Sequence, residues 1–173
     1  KRADSSLYQA KNTGRNKVVD SDKIDVPLIS LRVKWRDEWR CGNDEIDVQH
    51  ENILNIANDL ISQIYANVSK DAGIKGISYF LEYVKNHFAT EERILMDSQY
   101  PDIEDHMKKH DHLSNKAIYI KECFEKDELE SAAFLSFLID EVVIGHLVKE
   151  DSKFFSHVRK IRKKKKKINK NSP

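Results

Sequence analysis

The chain has 173 residues, of which 39% are apolar and 34% are charged, with only five glycines and three prolines. This length suits one domain with flanking sequence, and the scarcity of turn residues predicts an all-α fold and disfavours a β-sandwich or barrel. The net charge of +1 hides an asymmetry, because residues 159–170 carry nine basic residues and no acidic one.

A run such as KKKKK at 163–167 is of a kind that can contact nucleic acid or anionic lipid. We interpret it instead as the solvated end of the last helix, continuing into a basic tail at 161–173, and predict no nucleic-acid partner. Cys41 and Cys123 form no CxxC pair, and the longest apolar run, at 132–139, is too short to span a bilayer. With no recognisable secretory signal, we expect a cytoplasmic protein with two free thiols. Because the chain begins at Lys1 rather than Met, we expect it to be part of a longer protein.

The first segment, RADSSLYQAKNTGRNKVV at 2–19, predicts a short amphipathic helix, a break at Gly14 and a short strand. It resembles the last helix and strand of the GGDEF diguanylate cyclase domain, which typically carry an AD-x-ALY-x-AK-x-x-GRN pattern. The resemblance implies that residues 1–20 are the C-terminal remnant of such a domain. It also implies that Lys11 and Arg15 match residues that help to hold nucleotide phosphates. The GG(D/E)EF active-site loop is absent from the chain, so we expect no cyclase activity from it.

A linker is predicted at residues 21–33, where charges and a proline occur without periodicity. Trp35 and Trp39 follow, and we expect them to cover one end of a hydrophobic core. Asn43 or Asp44 is the candidate N-cap of the first long helix.

Four amphipathic segments make up the rest of the chain, with apolar residues at spacings of three and four. They predict helices over residues 44–65, 73–96, 103–124 and 128–159. Short connections between helices of this length indicate an up-down-up-down four-helix bundle over residues 34–160, preceded by an N-terminal arm.

Each of these helices places a histidine on its apolar face, and the second helix adds a carboxylate. The inward polar residues are His50, His87, Glu91, His106, His110 and His146. One such histidine is usually a hydrogen-bonded core residue, but burying five imidazoles and a carboxylate costs roughly several kcal/mol per group unless each is paired. A metal would pair with all of them, and the i, i+4 spacings allow two residues of one helix to bind one centre. His112 and His157 lie off these faces and are not included.

The motifs EIDVQHENIL, HFATE, HMKKH and HLVKED resemble the H, HxxxE, HxxxH and HxxxxD motifs of bacterial hemerythrins, in the same order. The resemblance covers about residues 35–158 and implies a non-haem di-iron centre. In that arrangement one iron is bound by three histidines, the other by two, and two carboxylates bridge them. The resemblance assigns the first iron to His106, His110 and His146, and the second to His50 and His87. It assigns the bridging role to Glu91 and Asp151.

The family also implies an oxo or hydroxo bridge, and counting the ligands leaves one open position on the iron with two histidines. O2 is expected to bind there, or NO or another small anion. Phe88 and Leu147, each next to a ligand in the chain, are candidates for the apolar wall of this pocket. A histidine-rich ligand set favours reversible binding over the oxidations of carboxylate-rich di-iron enzymes.

We therefore predict an O2-binding module rather than an enzyme, acting as an oxygen or redox sensor for a covalently linked upstream cyclase. The alternatives are an O2 carrier or store, a di-iron oxidase, and an interaction bundle without metal.

The last motif contains two candidate carboxylates. In a regular α-helix Glu150 lies about 40° from His146 around the axis, whereas Asp151 lies about 140° away. The hemerythrin pattern nevertheless selects Asp151. We predict a one-residue π-bulge near the site, eased by Gly145, that brings Asp151 to the core face.

Overall fold

The computed structural model describes residues 32–66 and 69–170. The predicted GGDEF-like segment at 1–20 and most of the predicted linker lie outside this range. The described part of the chain is almost entirely helical and contains no strand, so the predicted all-α class is confirmed. None of its helices is both long and apolar enough to cross a membrane.

A short 3₁₀ helix (Asp37–Trp39) precedes three regular helices, which are α1 (Asp44–Tyr65), α2 (Lys70–Asp97) and α3 (Ile103–Glu125). The fourth helical stretch has three parts: α4 (Ser131–Ser136), a π-helical segment (Phe137–Glu150), and α5 (Ser152–Lys170). Successive helices contact each other, and the π-helical segment packs against both α1 and α3, which closes the bundle. The three regular helices have nearly the predicted bounds.

Two apolar clusters form the core. The larger cluster contains Phe80, Phe88, Phe134 and Leu138, and the smaller one contains Phe154. Because the helices present apolar stripes, most of the aliphatic and aromatic side chains are removed from water in these clusters. The polar residues of the candidate site lie in contact with both clusters, through Phe88 of the larger and Phe154 of the smaller.

The N-terminal arm lies along α1. The backbone N–H of Val33 donates to Asn58 Oδ1 at 2.9 Å, and Asn58 Nδ2 donates to the Val33 carbonyl at 2.9 Å. Trp35 and Trp39 meet edge to face, 5.9 Å between ring centroids, and pack against the larger cluster as predicted. Asn43 is the N-cap of α1, since its side chain accepts from two backbone N–H groups of the first turn.

The basic run is helical as far as Lys170, past the predicted end of the helix at 159. Two of its arginines reach back to the arm. Arg159 donates to the Arg40 carbonyl, and Arg162 donates to the Gly42 carbonyl at 2.6 Å. These contacts hold the middle of α5 against the arm.

The π-helical geometry is more extensive than the predicted one-residue bulge, because it covers the whole of Phe137–Glu150. Its last hydrogen bond runs from the Asp151 N–H to the His146 carbonyl, five residues earlier, at 3.1 Å. The buried residues recur in pairs at intervals of four or five, a spacing that the wider π turn keeps on one face: Phe137, Leu138, Val142, Val143, His146 and Leu147. Gly145 is needed here, since a Cβ on it would lie 2.8 Å from the Asp140 carbonyl oxygen.

Candidate metal centre

All seven residues predicted as iron ligands meet in the middle of the bundle. Their nitrogens and oxygens form two overlapping groups, and in each group the atoms lie within 4.8 Å of one another. The first group contains Glu91, His106, His110, His146 and Asp151, and the second contains His50, His87, Glu91 and Asp151. All seven side chains are buried.

Helix periodicity explains how the bundle assembles this cluster. His87 and Glu91 are four residues apart on α2, as are His106 and His110 on α3, so each pair projects from one face. α1 contributes His50, and the π-helical segment and the residue after it contribute the remaining two. Each of the four helical stretches of the bundle therefore supplies at least one potential ligand.

Glu91 faces both groups, with a different carboxylate oxygen toward each. Its Oε1 lies 2.6 Å from His106 Nε2 and 3.4 Å from His110 Nε2. Its Oε2 lies 3.4 Å from His50 Nε2 and 3.6 Å from His87 Nε2. One carboxylate thus offers one oxygen to each of two neighbouring metal positions.

Asp151 divides its oxygens in the same way. Its Oδ1 lies 3.1 Å from His146 Nε2 and 3.7 Å from His106 Nε2, whereas Oδ2 lies 3.3 Å from His50 Nε2. Both carboxylates therefore have the arrangement that a pair of bridging ligands requires.

Glu150 points the other way. It forms ion pairs with Lys109 and with Lys153, the latter at 2.7 Å, on the partly exposed side of the helix. Partial burial disfavours its charge, but these two ammonium groups outweigh that effect and lower the pKa of Glu150. Asp151, by contrast, is completely buried. The structure thus places the aspartate at the centre, although a regular α-helix would favour the glutamate.

Burial and charge act in opposite directions within the cluster. Burial disfavours protonation of His50, but the carboxylates of Asp151 and Glu91 outweigh it and raise the pKa of His50 to about 9. For His87 burial dominates, and the pKa falls to about 3. Burial also opposes the charge of Glu91, yet its hydrogen bonds with the surrounding histidines hold the pKa of this carboxyl well below its usual value.

The cluster leaves several buried polar atoms without a hydrogen bond. In the described part of the chain, such atoms occur only on Trp35 and on four cluster residues: His50, Glu91, His146 and Asp151. Each buried unsatisfied group costs about 1–3 kcal/mol. A cation bound among the inward-facing atoms, which are His50 Nε2, Glu91 Oε2 and both oxygens of Asp151, would remove that cost for them. Imidazole nitrogens and carboxylate oxygens are a donor set that suits iron. The residues present therefore fit a centre of two metal ions.

Residues 41–158 match the hemerythrin HHE cation binding domain. The chain belongs to the hemerythrin family. A hemerythrin domain is a non-haem di-iron site that binds O2, and proteins with this domain are O2-binding modules rather than enzymes. The predictions of iron, of O2 binding and of a non-enzymatic role are thereby confirmed.

Similar proteins include three bacteriohemerythrins. The protein from Clostridium acetobutylicum is 27% identical over 129 residues, covering 69% of this chain and 96% of the relative. Those from Pseudomonas paraeruginosa (strain PA7) and Stenotrophomonas maltophilia (strain R551-3) are 25% and 24% identical, each covering 72% of this chain and 80% of the relative. The similarity thus extends over at least four fifths of the length of each relative.

In this hemerythrin domain, Phe88 lies beside the predicted ligands. Its ring stacks on His110, 3.8 Å between centroids and 9° between planes, and lies 5.8 Å from the ring of His87. Phe88 also lines a mainly apolar cavity of about 710 Å³ next to His110. Leu147 is buried in the larger cluster and does not line this cavity. The roles of both residues in an O2 pocket stay predictions.

Two hydrogen-bond partners of the cluster were not predicted. Glu92 Oε1 lies 2.7 Å from His110 Nδ1, and Gln49 Oε1 lies 3.0 Å from His87 Nδ1. The only available signal is that each is a polar residue next to a predicted ligand in the chain. That signal is weak, because most such residues on a helix are simply solvated.

Proposed function

We propose that seven buried side chains of this hemerythrin domain bind two iron ions, together with an oxo or hydroxo bridge. They are His50, His87, Glu91, His106, His110, His146 and Asp151. The observation that carries this assignment is the division of each carboxylate, whose two oxygens face different groups of histidines. The chemistry that such a pair supplies when bound is reversible binding of O2, or of NO or another small anion, at an open position on the side of His50 and His87.

The protein side chains have separate tasks in this function. Five neutral imidazoles and only two carboxylates put little negative charge around the metal, which favours the reduced pair and reversible binding over oxidation of a substrate. Phe88 and Leu147 keep water away from the open position. The two bridging carboxylates hold the two groups of histidines at a fixed separation, because each is itself confined in the core.

A first experiment tests the ligand assignment. The purified protein is loaded with iron, reduced without oxygen, and its visible spectrum is recorded before and after O2 is added. We expect two iron ions per chain, as in a di-iron site, and a visible band that appears with O2 and disappears when O2 is removed.

The matched pair of variants comes from α3. His110→Ala is expected to lower the iron content and abolish the band, whereas His112→Ala, on an exposed histidine of the same helix, should change neither. Full iron content and an intact band in His110→Ala would refute the assignment.

The module is further proposed to act as a cytoplasmic oxygen or redox sensor attached to a diguanylate cyclase. The support is the resemblance of residues 2–19 to the end of a GGDEF domain, together with the start of the family match only at Cys41. An O2 carrier or store, which needs no partner domain, is the second candidate.

The two functions differ in one measurement on the full-length protein. A sensor makes cyclic di-GMP at different rates under argon and under air, and His110→Ala removes that difference. Equal rates in the iron-loaded parent under both gases would favour the carrier.

A further inference from the structure

Two of the five cluster histidines form a hydrogen bond through Nδ1, the ring nitrogen that points away from the cluster. The two hydrogen-bond partners differ in charge. The imidazole of His110 points Nε2 toward His146 and Glu91, and its outer nitrogen Nδ1 meets the Glu92 carboxylate at 2.7 Å. The imidazole of His87 points Nε2 toward Glu91, and its Nδ1 meets the side-chain amide of Gln49 at 3.0 Å.

The orientation of the Gln49 amide follows from a chain of hydrogen bonds. The Thr90 hydroxyl donates to the Asn86 carbonyl at 3.0 Å, so its oxygen is left as an acceptor. Gln49 Nε2 donates to that oxygen at 3.3 Å, which turns Oε1 toward His87. Because Oε1 can only accept, His87 must carry its proton on Nδ1. The inward Nε2 of His87 is then unprotonated, and its lone pair is available to bind a metal.

Glu92 imposes the same tautomer on His110 more strongly. An ionised carboxylate is an acceptor only, and a charge-assisted hydrogen bond is shorter and stronger than one to a neutral amide. The two distances agree with this order, 2.7 Å to Glu92 and 3.0 Å to Gln49. The Glu92 side chain is 22% exposed, so it lies at the edge of the core and its charge is partly solvated.

We propose that Glu92 and Gln49 are positioning residues that make the two metal positions electronically unequal. Glu92 increases the electron-donor strength of His110 in the group with three histidines, whereas neutral Gln49 only orients His87 in the group with two. The inference rests on the proposed ligand roles of His110 and His87. The stronger electron donor then belongs to the metal position with three histidines, which has no open site for O2. The metal position with two histidines, where O2 would bind, receives less electron density from its ligands.

The test uses exchanges of charge at the two positions. Glu92→Gln keeps an acceptor oxygen but removes the charge, and Gln49→Glu adds a charge behind His87. A stronger donor stabilises ferric iron, so we expect a higher reduction potential in Glu92→Gln and a lower one in Gln49→Glu. If Glu92 and Gln49 only supported the local structure, both substitutions would shift the reduction potential in the same direction.

Iron affinity, measured by competition with a chelator, provides the second readout. Glu92→Ala is expected to weaken iron binding by about 10- to 100-fold, the usual cost of losing the hydrogen-bond partner of a ligand, with Glu92→Gln between it and the parent. The matched control is Glu82→Ala, which removes an exposed glutamate of the same helix about 15 Å away and should leave affinity and potential unchanged.

A third readout needs no metal. Nitrogen NMR of the metal-free parent at alkaline pH should show both His87 and His110 protonated on Nδ1. Gln49→Ala should change the tautomer of His87 alone, and Glu92→Ala should change the tautomer of His110 alone. Parent-like potentials in both exchange variants, or Nε2-protonated rings in the parent, would overturn the inference. A parent protein that shows these tautomers but takes up no iron would instead overturn the proposed function, and the two failures are thereby distinguished.

Discussion

Asp151→Ala and Glu150→Ala form the sharpest pair of tests, because the two residues are neighbours with opposite environments. Asp151 is completely buried, and its oxygens face histidines from both groups at 3.1–3.7 Å. Glu150 lies at the partly exposed surface and pairs with lysines. The two substitutions remove the same functional group at almost the same place in the chain.

The expected magnitudes follow from the contacts that are lost. Without Asp151, the group around His110 keeps four donor residues, but the group around His50 and His87 keeps only three. The iron of the second group should therefore be lost first, and affinity should fall by more than the roughly 10- to 100-fold cost of losing an outer partner. Without Glu150, its partly exposed ion pairs with Lys109 and Lys153 disappear, and each costs at most about 1 kcal/mol of stability.

Iron per chain and the visible band after O2 addition measure the difference. Asp151→Ala is expected to hold one iron ion or none and to lose the band, while Glu150→Ala keeps both. Asp151→Asn preserves the shape and guards against a folding defect, with circular dichroism as the check. If Asp151→Ala retained its iron and Glu150→Ala lost it, the helix would have regular α-geometry at the site and the bridging role of Asp151 would be wrong.

Three further perturbations are expected to behave differently from one another. Gly145→Ala places a Cβ 2.8 Å from the Asp140 carbonyl oxygen and should lower the free energy of unfolding by about 1–3 kcal/mol. In the control Gly73→Ala, the nearest atom to the new Cβ lies at 3.7 Å, so the free energy of unfolding should rise by up to about 1 kcal/mol. Equal urea midpoints for the two variants would contradict the π-helical packing around Gly145. Leu147→Ala should speed autoxidation of the reduced protein without removing iron, and an unchanged rate would exclude Leu147 from the pocket wall. Deletion of residues 163–173 should leave iron content and spectrum unchanged, because none of the seven cluster residues lies there; loss of iron would show that the tail supports the site.

The sequence by itself determined the four helices, their apolar faces and the convergence of five histidines. These features depend on local periodicity: residues three and four apart share a helix face whatever the helix packs against. The i, i+4 pairs His87/Glu91 and His106/His110 therefore reached the centre as predicted. The order of the motifs along the chain was enough to indicate the family, and the match over residues 41–158 confirms it.

Tertiary structure decided three other features. The hydrogen-bond register of Phe137–Glu150 depends on which side chains the other helices bury, so its π-helical extent could not be read from α-helical spacing alone. Glu92 and Gln49 reach histidines on other helices, 18 and 38 residues away in the chain, and such contacts exist only after the bundle closes. The contact between α5 and the arm comes from Arg162, which donates to the Gly42 carbonyl 120 residues earlier in the chain. In each case the deciding interaction joins segments far apart in sequence, where local propensity carries no information.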